Sequence, residues 1–449
     1  MLKKYIILLL LIFNSCGNHT NSIDLEAEEQ ISETQYFRVP TPTSCDLGSQ
    51  NQFIYDVMHD SYLWANEVPI FDDTNITETT PDQLLVQLKN SKDHFSFIID
   101  QQTAQNYFEI GENDNFGFSI KLINLENGNY GLIVSFVYPN SPADYANFKR
   151  SNLITQINHQ AITPENLQSI ATLLDQESTI EFGLLSQEGE ITYTTLTKES
   201  YTIETILYHD IIDQEEKKIG YMVFQDFIDL AMPEIDKQFN EFKIEQIDEL
   251  ILDLRYNGGG SVDVARHLAS LIGGFHVVNK VFHHVNLNER YSKYNFTSYF
   301  EPYQPNALNL NRIFILTTKS SCSASELVIN ALRASINHVE VIQIGEATCG
   351  KPYGFIGAGL FCEKALYAIN METRNSDNVG DYINGISPTC LAQDDLLHDF
   401  GDPNERLLAS ALKYIQTNTC DLSTPLQKQT LKSKELPNQH TFKRLMPAY

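Results

Sequence analysis

A serine, a lysine and a run of glycines stand at the ends of three apolar stretches, a set of groups suited to nucleophilic attack on a carbonyl. The first stretch, Ile313 to Leu316, is apolar and rich in β-branched residues, and reads as a buried strand. Small hydroxyl residues crowd Thr317 to Ser325, and from Glu326 the apolar positions Leu327, Val328, Ala331 and Leu332 recur at helical spacing. A turn of this kind carries a side chain to a helix N-terminus, where unpaired N–H groups and the positive dipole end favour developing negative charge. A serine placed there is either an N-cap or a nucleophile. The second stretch begins at Glu249 and ends in Gly258, Gly259 and Gly260, ahead of an expected helix from Val262 to Ile272. Glycines let a backbone approach a ligand closely and present N–H groups to it. The third, Val339 to Ile344, leads into Gly345-Glu-Ala-Thr-Cys-Gly-Lys351. Strand–helix–strand units of this kind favour a parallel sheet whose ligands gather at the carboxyl ends of its strands.

A serine hydroxyl attacks poorly unless a neighbouring base takes its proton. A lysine serves only when neutral, which requires burial and the lack of a carboxylate partner. Lys351 sits among Gly350, Pro352, Tyr353 and Phe355, with no acid nearer in sequence than Glu346, a setting that fits desolvation. Alone, such a lysine would read as an exposed turn residue.

Asp253-Leu-Arg-Tyr-Asn-Gly-Gly-Gly260, Ser323-Ala-Ser-Glu326 and Gly345-Glu-Ala-Thr-Cys-Gly-Lys351 together resemble the motifs of the C-terminal processing (tail-specific) serine peptidases. The resemblance implies an α/β catalytic core of the ClpP/crotonase kind, with Ser323 as nucleophile and Lys351 as general base. It implies an oxyanion hole from the backbone N–H groups of Ala324 and one glycine of the run, Gly259, and needs no metal or other cofactor. One position departs from the family pattern. Many members carry a glutamine four residues after the lysine, and this chain carries Phe355. Another polar group must then orient the amine, or the dyad works alone, or the enzyme is impaired.

The elements that must position these groups fill 449 residues, enough for two or three domains. With 31 Lys and Arg against 58 Asp and Glu, a balance of −27, the chain repels nucleic acid and anionic membrane surfaces. Residues 1–16 form a targeting segment: two lysines precede an apolar run too short to span a bilayer. The run resembles a bacterial lipoprotein signal, which would make Cys16 the lipidated first residue of an exported, envelope-anchored protein. Residues 17–44 are polar and read as a tether. Residues 45–110 read as a helical N-terminal region, with Phe53, Val57 and Trp64 in its core, a helix starting at Pro81 and His94 as a structural histidine.

Residues 111–200 show the short alternating strands of a small β-rich domain and resemble a PDZ domain inserted ahead of the core. The resemblance implies a groove that captures a peptide C-terminus by strand addition at Phe116, Gly117, Phe118, Ser119 and Ile120. The catalytic domain is expected over 201–417 and a loose polar tail over 418–449. Within the catalytic domain, a Tyr- and Asn-rich insert (Tyr291 to Tyr303) would line the cleft or form a flap. His283 and His284 lack ligands at metal spacing and read as solvent-facing strand residues. Without Cys16, six cysteines remain, an even number that permits disulfides in an exported chain. Cys349 and Cys362 flank Lys351 and are one expected pair, and Cys45 and Cys420, near the two ends, are another. Cys322 reads as a small buried filler.

The expectation is an exported serine endopeptidase that acts on proteins or peptides with accessible C-termini and meets the membrane only through its anchor. Two alternatives remain: a non-catalytic peptide-binding protein on the same scaffold, and a metal- or His-dependent hydrolase.

Overall fold

The computed structural model describes residues 38–125, 128–420 and 433–434. Cys16, the tether up to residue 37 and the remainder of the tail lie outside the described residues, among which no helix is long and apolar enough to cross a membrane.

The N-terminal region contains α1 (Leu47–Asp60) and α2 (Pro81–Leu88). Asp46 caps α1 by accepting the Ser49 N–H, and Thr80 and Gln83 form a reciprocal cap on α2. The periodic positions Phe53, Ile54, Val57, Leu84, Leu85 and Leu88 then bury together. Strand β1 (Phe97–Asp100) follows.

The β-rich segment builds one sheet from β2 (Phe118–Asn124), β3 (Tyr130–Val137) and β4 (Leu153–Ile157), then, after α3 (Leu167–Gln176), β5 (Thr179–Leu185) and β6 (Ile191–Thr197). Its own core includes Phe116, Leu132, Val134, Ile154, Ile170 and Phe182.

The large sheet starts with β7 (Ile206–Gln214) and β8 (Lys217–Phe224), and α4 (Ala231–Glu245) leads to β9 (Glu249–Asp253). Helix α5 (Val262–Gly273), β10 (Val281–Leu287), β11 (Arg312–Thr317), α6 (Ala324–Leu332) and β12 (Glu340–Gly345) come next. A hairpin strand, β13 (Lys364–Tyr367), a short strand, β14 (Cys390–Leu391), and α7 (Arg406–Thr417) close the core. The sheet order is β7-β8-β9-β11-β12-β14, antiparallel at β7 and parallel from β8 onwards. Helices α4, α5 and α6 cover one face and α7 the other, so that the central strands are apolar without a break. Beyond α7, Ser433–Lys434 form β15, an antiparallel addition to the free edge of β2 at Leu122 and Ile123, where the sequence predicts only a loose tail.

Several expectations change. The cysteines pair as Cys45–Cys362, Cys322–Cys349 and Cys390–Cys420. Proximity in sequence misleads here: β11 and β12 are parallel neighbours, so their carboxyl-end turns adjoin and bring Cys322 to Cys349. Cys322 is therefore bonded rather than a filler. His283 is buried at 2% exposure, not solvent-facing, and burial pushes its imidazole pKa down to about 3. The tyrosine-rich insert packs against the N-terminal region, with Tyr291 Oη donating to Asp60 Oδ2 at 2.5 Å.

Candidate active site

Three turns leave the carboxyl edge of the sheet side by side, after β9, β11 and β12. The hydroxyl cluster after β11 divides its labour by direction. Ser321 Oγ donates to the Leu254 carbonyl at 2.7 Å, Ser325 Oγ to Asn257 O at 3.0 Å, and Thr318 Oγ1 to the Arg255 carbonyl. These buried groups fasten the β11 turn to the glycine-rich turn. Ser320, Ser321 and Ser325 are buried, whereas Ser323 is only half-buried. Ser323 lines a cavity of about 650 Å³ together with Gly258, Ala324, Leu327, Lys351 and Phe355.

Ser323 holds φ +55° and ψ −111°, a backbone conformation that a residue with a Cβ adopts only under constraint, at about 1–3 kcal/mol. The Cys322 N–H donates to Asn257 O at 3.1 Å and the Ser323 N–H to Glu326 Oε2 at 2.9 Å, while the Ser323 carbonyl accepts the Leu327 N–H at 2.8 Å, which pins the strained residue from both sides. Ala324 begins α6, and its N–H finds no acceptor among the described residues.

Gly259 lies against the serine, since a Cβ built on it would stand 2.7 Å from Ser323 Cβ and 3.0 Å from Ala324 N. Its own N–H, however, donates to Asn257 Oδ1 at 2.9 Å. Gly258 and Gly260 line the cavity instead, and neither N–H finds an acceptor among the described residues.

Lys351 is 5% exposed, and burial lowers its pKa to about 8 against the opposing charges of Asp93 and Glu326. Its Nζ stands 4.5 Å from the ring centroid of Phe355 and 5.2 Å from that of Phe95. Aromatic faces thus surround the amine where the family pattern has a glutamine. Phe95 and Asp93 come from the N-terminal region: β1 pairs with β13 (Phe97 opposite Tyr367) and brings that region over the lysine turn. Asp93 is fixed by Tyr62 Oη (2.8 Å) and by the N–H groups of Phe95 and Ser96.

Two of these residues had no role from the sequence. Glu326 is fully buried and accepts from Ser323 N, Thr348 Oγ1, Gly350 N and Lys351 N, which ties the serine and lysine turns together. A glutamate three residues after a hydroxyl residue at a helix start is the signature that could have flagged it. Asp93 is set more than 250 residues from Lys351, and only the pairing of β1 with β13 joins them.

Phe116, Phe118, Ser119 and Ile120 line a second cavity of about 410 Å³ between β2 and α3, facing Ala171 and Leu174. Gly117 turns the chain there with φ +85°, its N–H donating to Asn115 Oδ1.

Fold and site define an α/β chain with a serine and a buried lysine in one cleft. Residues 218–388 match the model of Peptidase family S41, and residues 49–97 match the Peptidase S41 N-terminal domain. A carboxyl-terminal-processing protease from Picosynechococcus sp. is 24% identical over 49% of this chain and 50% of its own length. The carboxy-terminal processing protease CtpB of Bacillus subtilis is 22% identical over 69% of this chain and 62% of its own. The matched region thus spans about half to three-fifths of these curated relatives. A crystal structure of a putative S41 protease from Bacteroides fragilis superposes with TM-score 0.69 and 26% identity, covering 82% of this chain and 97% of that one. Each of these matches is to an S41 peptidase or a carboxyl-terminal processing protease.

Proposed function

We propose that this chain is a serine endopeptidase of the C-terminal processing type, working through Ser323 and Lys351. The observation that carries this reading is a buried lysine amine, pKa about 8, lining the same cleft as a strained, half-buried serine at a helix N-terminus. Ser323 Oγ attacks the scissile carbonyl while Lys351 Nζ takes its proton. The amine then returns the proton to the leaving nitrogen, and water hydrolyses the acyl-enzyme by the same route. The oxyanion sits at the N–H of Ala324. The second donor is Gly258 or Gly260, because the Gly259 N–H is engaged by Asn257. Losing one such donor typically costs about 3 kcal/mol.

The β-rich domain acts as a PDZ module in this reading, holding a substrate C-terminus in the groove at Phe116–Ile120. Two features support it: the cavity between β2 and α3, and a β2 edge that already accepts β15 as an added strand. The leader adds export and a lipid anchor at Cys16 in the bacterial envelope, which loss of membrane fractionation in Cys16→Ser would test.

Ser323-dependent cleavage is the decisive experiment: wild type should cleave a protein or peptide substrate, folded Ser323→Ala should not, and folded Lys351→Ala should do so far more slowly. Phe355 favours a second reading, a non-catalytic peptide-binding protein. Peptide binding without any Ser323-dependent turnover would establish that alternative.

A further inference from the structure

The disulfide Cys322–Cys349 joins the residue directly before Ser323 to the residue two before Lys351. Its neighbours tie the same two turns: the Cys349 N–H donates to Ser321 O at 3.0 Å, and Cys349 Sγ lies 3.5 Å from the Glu326 carboxylate that receives both the Ser323 and the Lys351 N–H groups. Of the other two disulfides, Cys45–Cys362 ties the N-terminal region to the β13 hairpin and Cys390–Cys420 joins β14 to the chain just after α7, and neither joins the serine turn to the lysine turn.

We propose that Cys322–Cys349 is a positioning element of the active site, and that peptide hydrolysis requires it in its oxidised form. The inference rests on the Ser323–Lys351 reading above and extends it. A strained conformation such as that of Ser323 persists only where its surroundings over-determine it. Opening the bond removes one of the restraints on the N-terminal side of the nucleophile, leaving the Cys322 N–H to Asn257 and the Ser323 N–H to Glu326 to hold that side alone, and lets the hydroxyl shift relative to the amine. It also loosens the turn that supplies three of the four donors to the buried Glu326. Cys322 is fully buried and Cys349 half-buried, so exchange enters at the Cys349 sulfur. A dithiol reductant supplies two electrons and two protons: the S–S bond breaks, two S–H bonds form, and the reductant closes to its own cyclic disulfide.

The test uses the full chain purified under oxidising conditions, with peptide turnover and labelling of Ser323 by a serine-reactive sulfonyl fluoride as readouts. Titration with dithiothreitol, with thiol trapping and peptide mapping at each step, should show kcat and labelling falling together with loss of the 322–349 bond and returning on reoxidation. The double variant Cys322→Ala/Cys349→Ala, checked for folding by its thermal melt, should lose kcat by about tenfold or more with KM changed less than about threefold. Cys390→Ala/Cys420→Ala should keep its rate. Full kcat in wild type reduced at 322–349, or in the folded 322/349 variant, would overturn the proposal. Absence of Ser323-dependent turnover and labelling in oxidised wild type would instead strike the peptidase reading itself.

Discussion

Glu326 Oε2 accepts the backbone N–H of Lys351 at 2.8 Å, and the same oxygen accepts that of Ser323 at 2.9 Å. One buried carboxylate thereby sets the spacing of the proposed nucleophile turn and base turn. Its charge also opposes the burial that lowers the Lys351 pKa, as does that of Asp93. The amine is therefore poised by two competing effects, of which burial is the larger.

Asp93→Asn should shift the acid limb of the pH–rate profile to lower pH. Removing the negative charge deletes an interaction that stabilises the ammonium form, so the amine loses its proton earlier. Asparagine keeps an oxygen for the Phe95 and Ser96 N–H groups, which both bond Asp93 Oδ1, so the turn is preserved. A profile moved upward, or unmoved with normal folding, would contradict the assignment.

Gly259→Ala should lower kcat by about 10²-fold, by displacing the nucleophile, while the protein still folds. The added methyl would stand 2.7 Å from Ser323 Cβ and 2.8 Å from Cys322 O, and φ +106° strains any side chain there. Burst kinetics with an activated ester would register the loss at the acylation step.

Asp226 is buried and receives Tyr107 Oη at 2.6 Å and Tyr138 Oη at 2.7 Å, joining three parts of the chain. Burial raises its pKa to about 6, above an unfolded value of about 4. The folded state thus holds the proton more tightly, and the stability this confers is present below about pH 4 and lost as pH rises through about 6. Asp226→Asn should flatten that fall. Thermal melts of both proteins between pH 4 and 7 would reveal it as a difference in slope.

Arg255 is fully buried between Asp253, Glu405 and Asp394, with Nη1 donating to Glu405 Oε1 at 2.7 Å and Nη2 to Asp253 Oδ2 at 2.6 Å. Arg255→Met should destabilise by about 3–5 kcal/mol, because carboxylates at the base of the glycine turn would be left buried without a counter-charge. Urea titration measures it.

The three strand–turn units could be read from the chain because central parallel strands are buried on both faces and so appear as unbroken apolar runs. Pro81, Leu84, Leu85 and Leu88 announced α2 in the same way, by a first-turn proline and helical spacing. The lysine's surroundings could not be read, since Asp93 and Phe95 reach it only through the pairing of β1 with β13. Nor could the cysteine pairing, which follows from the adjacency of β11 and β12 rather than from sequence distance. Nor could the engagement of the Gly259 N–H, which arises because the side chain of Asn257, two residues earlier, folds back onto it.

The most direct test is the pH dependence of peptide turnover in wild type and in Lys351→Ala. The account predicts a wild-type rate that rises through about pH 8 as the buried amine loses its proton, and a variant slower by about 10²–10⁴-fold without that limb. A variant with the wild-type rate and the same limb would contradict it.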